Sequence, residues 1–371
     1  MNKQKLYILG ALFVTAALVL GACGPSTTPE EPAEPAQPAE TVKPAEPTVP
    51  AEPTEPVVEA PTSLKIAVVL AGTLEEPWYS TSIDSLNKLK ENNDYGVDIE
   101  YVYSENIWGE DSLRVMREYA ETGEYGIVWS CTGSDSEYIK QIQDEFPDVL
   151  FAHSGGGGEG LGKNSAWVWG LVHEPAYLLG MIAGMMTETN VIGMVGSFPS
   201  EEINQEVNAY IQGAKDVNPD VKAKVTFINS WYDPEKAKEA AVAQIAAGAD
   251  FIYPTIYGAF EAMDEAGILG FGNYVDQHEM APNVVVASTI LSWDPPAKWM
   301  LDLWYKHATT GKPYDVQTTG YWGLMADGGS DIVLNEDMLP ADVLAAVKAK
   351  QAEIISGAFV VPVDQSVPKS D

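Results

Sequence analysis

Lys224 to Tyr257 read KVTFINSWYDPEKAKEAAVAQIAAGADFIYPTIY. The opening KVTFINSW is a short apolar run rich in β-branched and aromatic residues, which predicts a strand. PEKAKEAAVAQIAAG follows, alanine-rich, with Pro234 near its start, and predicts a helix. FIYPTIY then predicts a second strand. Strand, helix and strand in this order indicate a crossover between parallel strands, so the stretch selects an α/β fold.

The same alternation runs outward in both directions. Towards the N-terminus, SLKIAVVLAG, VDIEYVYS, YGIVWSCTG, VLFAHSG and AWVWGLV predict five strands. SIDSLNKLKENN and DSLRVMREYAETG between them have helical spacing. After the small-residue-rich helix AYLLGMIAGMMTE the pattern restarts with VIGMVGSFP. It continues past the quoted unit through GILGFGNY and VVVASTILSW, with INQEVNAYIQGAKDV as a further helix. Leu178–Met186 is too short to span a bilayer and is bracketed by Glu174 and Glu188, which predicts a core helix. Two consecutive α/β series predict two Rossmann-like lobes. Their expected bounds are 63–172 with about 290–320, and 173–289 with about 321–363. A ligand cleft is expected between them, outside the carboxyl ends of the strands.

The N-terminus predicts the compartment. Lys3 and Lys5 precede LYILGALFVTAALVL, an apolar run of signal-peptide size that falls short of the ~20 residues of a membrane span. Leu20-Gly21-Ala22-Cys23 resembles the bacterial lipobox, which implies a signal peptide over 1–22 and lipidation (palmitate among the acyl groups) at Cys23. Residues 23–62 repeat Glu-Pro and Pro-Ala and hold little to bury, so they predict a disordered, extended tether. At polyproline-like rise it could hold a domain up to about 120 Å from the membrane. The expected location is the extracytoplasmic face of the cell membrane.

The formal net charge of −33 argues against nucleic acid as a partner and disfavours anionic ligands. With Cys23 lipidated, Cys131 has no disulfide partner, and its apolar run YGIVWSCTG predicts a buried, inert thiol. HSGGGGEGLGKNS, His153 to Ser165, approaches a phosphate-binding loop. Asn164 stands where such a loop needs a hydroxyl, and a strand rather than a helix follows, so the run predicts a turn at the cleft rim. His153, His173, His278 and His307 have no metal-ligand spacing, and no G-x-S-x-G elbow occurs. No enzyme, metal or cofactor is expected.

Aromatic residues mark where strands run out: Trp78 and Tyr79 in TLEEPWYSTS, Trp231 and Tyr232 in INSWYDP, Tyr253 and Tyr257 in FIYPTIYG and Trp293 after VVVASTILS. Flat rings facing across a cleft can sandwich a planar ligand. Polar candidates at strand ends are Ser130, Thr132, Ser154, Thr255, Asn273 and Asp276. Each of these also suits a turn or cap, and each aromatic also suits packing. Trp108, Trp129, Trp167, Trp169, Trp299 and Trp304 are expected to pack.

HEPAYLLGMIAGMMTETNVIGMVGSFPSEEINQEVNAYIQGAKDVNPDVKAKV and INSWYDPEKAKEAAVAQIAAGADFIYPTIYGAFEAMDEAGILGFGNYVDQ resemble the basic-membrane-protein family. That family comprises lipid-anchored substrate-binding components of ABC importers, several taking up purine nucleosides. The similarity covers most of Leu64 to Val363 and is strongest from Glu174 to Gln277. It implies a type I periplasmic-binding fold, a monomer closing on a small molecule, and an ABC permease as partner. The nucleoside-binding members carry an Asp-rich segment after the first strand and an aspartate two positions before the final Asp-Gln. Here EEPWYSTS and Tyr274 stand in those places, while Trp231 falls where those members place a stacking phenylalanine. A branch associated with free purine bases looks closer. The resemblance therefore implies a base held by Trp78 and Trp231, with Thr255, Asn273 and Asp276 as edge partners. A sugar ligand stays open as the alternative, with an extracytoplasmic enzyme as a more distant one.

Overall fold

The computed structural model describes residues 59–371; the expected signal peptide, Cys23 and nearly all of the tether lie outside the described residues. Two six-stranded sheets organise the chain. The first contains β1 (Ser63–Val69), β2 (Asp98–Ser104), β3 (Ile127–Ser130), β4 (Leu150–Ser154), β5 (Ser165–Gly170) and β11 (Tyr321–Gly323). The second contains β6 (Val191–Gly196), β7 (Lys222–Phe227), β8 (Phe251–Pro254), β9 (Leu269–Gly272), β10 (Val285–Leu291) and β12 (Ser330–Leu334). Their orders, β11-β5-β4-β3-β1-β2 and β12-β10-β9-β8-β6-β7, repeat one topology. All pairings are parallel except β10 with β12. In each sheet the strand order reverses beside the first strand, which is where an open α/β sheet leaves a crevice.

Lys224 to Tyr257 spans most of β7, all of α6 (Pro234–Ala246) and β8. Its two strands are not neighbours, because β6 lies between them and pairs with both. Asp233 starts the helix by accepting a hydrogen bond from the Lys236 amide at 3.1 Å, and Pro234 occupies the first turn, where its missing N–H costs nothing. Helices cover both faces of each sheet, so the strands are apolar on both sides. Ile66, Val68 and Trp129 face one core of the first lobe, while Ala67, Val69 and Val128 face the other.

In the second lobe α4 (His173–Met186) packs on α5 (Glu201–Val217). A Cβ at Gly180 would collide with the Tyr210 carbonyl, and one at Gly213 with the Tyr177 carbonyl, so the small residues let two backbones touch. Among the described residues no helix is long and apolar enough to cross a membrane.

Three crossings join the lobes: after β5 into α4, after β10 into α8 (Asp294–Thr310), and after β11 into β12. They are tied to one another, since the Leu171 amide donates to Gly323 O at 2.9 Å and the Ser292 amide to Gly329 O at 3.0 Å. The lobe bounds differ from the expected ones. Tyr321–Gly323 pairs with β5, so the third crossing follows Gly323 and not residue 320. The chain past 363 also belongs to the second lobe, where the Asp371 amide donates to Ala223 O at 3.0 Å beside the edge strand β7.

Candidate ligand-binding site

A cavity of about 500 Å³ lies between the lobes at the carboxyl ends of β1, β3, β4, β6, β8 and β9. Trp78 enters it from the first lobe, in the first turn of α1 (Pro77–Glu91). Three contacts fix its ring. The indole N–H donates to Cys131 O at 3.0 Å, Trp293 stands edge-on with ring centroids 5.0 Å apart, and Tyr274 lies tilted at 5.8 Å. Trp231 enters from the second lobe, 43% exposed, resting on Phe198 with centroids 5.0 Å apart. Tyr79, Thr132, Thr255 and Asn273 also line the wall. The Thr255 hydroxyl has no protein partner, whereas the Asn273 side-chain carbonyl accepts a hydrogen bond from the Thr289 hydroxyl at 2.7 Å and lies 2.7 Å from the Tyr253 hydroxyl oxygen.

Four expected contacts stand elsewhere. Ser130 is buried and donates to Asp135 at 2.7 Å, because its strand position points it under the following turn. Tyr253 is buried, its hydroxyl set between Glu206 and the Asn273 side chain, and it does not line the cavity. Trp293 is 0% exposed and supports Trp78 from behind. Asp276 is exposed and caps the amide of His278 at 3.0 Å. Conversely Trp108, expected to pack, is exposed and reaches the cavity mouth. Cys131 is buried, and burial pushes its thiol up to about 12, so it is unreactive at neutral pH.

The glycine run forms the rim. Gly155 and Gly157 have φ of 96° and 71°, where a side chain is strained, and a Cβ at Gly133 would collide with the Gly156 carbonyl. The run therefore carries the chain from β4 to β5 without a helix. It also leaves space that a carboxylate fills: a Cβ at Gly156 would collide with Glu202 Oε2 from the opposite lobe.

Reading strand ends missed the acidic side of the site. Glu76, Glu201 and Glu202 line the cavity, and no Lys, Arg or His does. Burial raises the carboxyls of Glu76 and Glu202 above the usual range. Behind them Glu206 is fully buried and accepts hydrogen bonds from the hydroxyls of Tyr253 and Tyr274; burial pushes it up to about 8. The local signal, Ser200 followed by two glutamates, reads as an ordinary helix start. Tyr274, which holds φ of 67°, also lines the wall.

Residues 63–365 match the family described as ABC transporter substrate-binding protein PnrA-like. A purine-binding protein of Brucella abortus is 30% identical over 269 residues, covering 71% of this chain and 73% of that protein. An ABC transporter glucose-binding protein of Haloferax volcanii is 31% identical over 227 residues, covering 58% of this chain and 57% of that protein, so the match spans a little over half its length. An ABC transporter solute-binding protein from Conexibacter woesei superposes with a TM-score of 0.64 at 19% identity, covering 81% of this chain and 99% of the other. That likeness concerns the fold.

Proposed function

Because the chain belongs to the family of PnrA-like ABC transporter substrate-binding proteins, we propose that it captures a purine base or nucleoside between its lobes and delivers it to a membrane permease. The observation that carries this reading is the pair Trp78 and Trp231, which reach one cavity from opposite lobes. Trp78 is held by its own indole N–H and by Trp293, so it offers a ring face whose orientation needs no further ordering. Trp231 is freer, suited to settle on a ligand as the lobes approach. The hydroxyls of Ser197 and Thr255 lie in the wall without protein partners and are available to a polar ring edge. The Brucella relative's name supports a purine. Capture requires no bond to break, and the site is read as one of binding without turnover.

The membrane arrangement is part of the same proposal. The lipobox-like Leu20–Cys23 and the Pro/Glu-rich segment after it support a lipid anchor on the extracytoplasmic face, and capture between the lobes of one chain needs no second copy. A second reading is a sugar: aromatic walls with hydroxyl partners also suit a pyranose, and the Haloferax relative is named for glucose.

The test is mass spectrometry of the small molecule released when the purified full-length chain is denatured. Thermal shifts of the full-length chain against adenine, guanine, guanosine and glucose accompany it. A stoichiometric purine, or stabilisation by purines alone, supports the first reading. Glucose in either assay replaces it with the second.

A further inference from the structure

Glu202 occupies a position that the stacking reading leaves unexplained. It stands in the first turn of α5, half-buried, and belongs to no ion pair among the described residues. Its carboxylate projects across the cleft to the glycine rim of the other lobe, into the room left by Gly156. The same rim touches the stacking platform. A Cβ at Gly155 would stand 3.1 Å from Trp78 Cζ2 and 3.8 Å from Glu202 Oε1. The edge of the Trp78 ring and the carboxylate are therefore neighbours across one glycine, and a ring lying on Trp78 presents an edge to Glu202. Ser197, 1% exposed with an unpartnered hydroxyl, shares this wall.

A carboxylate has two acceptor oxygens and no donor when ionised, and it pairs best with two parallel N–H groups. Resting on the purine reading above, we infer that Glu202 reads the ligand's edge and selects rings that carry a ring N–H beside an exocyclic amino group, the 2-amino-6-oxopurine pattern. The N-terminus of α5 favours the ionised form, while burial opposes it; two donated N–H groups restore what burial removes. Glu76 and Glu201 on the same walls, with no cationic side chain among the lining residues, set the site against phosphorylated or otherwise anionic ligands. The glycine rim has a role here as well: a side chain at residue 156 would displace the carboxylate that reads the edge.

The test uses two ligand pairs that differ only in the 2-amino group, guanine with hypoxanthine and guanosine with inosine. Calorimetric titration is made on the full-length chain and on Glu202→Gln, which keeps size and shape. Wild type is expected to bind the amino member at least about tenfold more tightly, the scale of a hydrogen bond to a charged group. In Glu202→Gln that ratio should fall below about threefold, since the carboxamide turns an N–H group towards the ligand's own donors. The melting temperature of the unliganded variant reports whether it folds. Equal wild-type affinities within each pair, or an unchanged ratio in the folded variant, overturn the assignment and leave the purine reading standing. Wild type that binds glucose and neither pair overturns both. The wild-type ratio alone decides the matter should the variant not fold.

Discussion

Trp78 and Trp231 divide the work of a stacking site unequally, and substitution should separate them. Trp231 rests on Phe198 and is largely open, so Trp231→Ala is expected to weaken purine binding by about 1–3 kcal/mol. Its urea midpoint should stay close to wild type, because little buried surface is lost. Trp78→Ala removes a ring packed on Trp293 and Tyr274, and should lower both affinity and the urea midpoint. A Trp231→Ala protein that unfolds early would make that ring structural. Glu206 gives a prediction in pH. Burial raises its carboxyl from the usual 4.5 to about 8, so the folded state binds this proton more tightly than the unfolded state does. The stabilisation is complete below pH 4.5 and fades as pH rises towards about 8, with a slope no steeper than about 1.4 kcal/mol per pH unit. Glu76, Glu202 and Asp135 are shifted the same way and add to it. Buried His153 and His173, held down to about 4, contribute the opposite slope below their ordinary 6.5. Melting temperature should therefore fall between about pH 7 and 8, and Glu206→Gln should flatten the fall. A wild-type profile that rises over this interval would contradict the assignment.

At the scale of elements, the pairing of α4 with α5 depends on glycine. Gly180→Ala places a methyl group against the Tyr210 carbonyl, and backbone cannot rotate away as a side chain can. The expected loss is about 1–3 kcal/mol in urea unfolding, with ligand affinity unchanged in the folded fraction. These elements were legible for physical reasons. Strands covered on both faces read as continuous apolar runs, and α6 announces itself through Asp233-Pro234, so local residues suffice. β11 and β12 were not singled out. Tyr321–Gly323 is three residues long, and Ser330–Leu334 alternates burial beside one antiparallel neighbour, so neither makes a continuous apolar run.

For the whole molecule, binding and stability are linked. A ligand held by both lobes is expected to stabilise the fold by about 2.7 kcal/mol at one hundred times its dissociation constant, read as a rising melting temperature along a ligand titration. The net charge of −33 acts throughout the chain. Self-repulsion is screened as the Debye length shrinks from about 8 Å to about 3 Å between 0.15 M and 1 M salt, so melting temperature should rise with salt. A fall would mean that surface ion pairs such as Arg117–Glu145 outweigh the repulsion.

The alternation of β1 to β10 with their helices, the parallel class of that alternation and the two-lobed plan were determined by sequence alone, because apolar runs, helical spacing and caps are local properties. The cleft's place followed, since parallel sheets leave their crevice at the carboxyl ends of the strands, and Trp78, Trp231 and Thr255 were legible there. Tertiary structure decided which neighbours of those residues turn inward. Tyr253 points to Glu206, and Trp293 lies behind Trp78, although both occupy strand ends of the same kind. It also decided that Glu202 meets Gly156, a contact between two lobes. No local pattern encodes that meeting, because it depends on where three crossings set one lobe against the other.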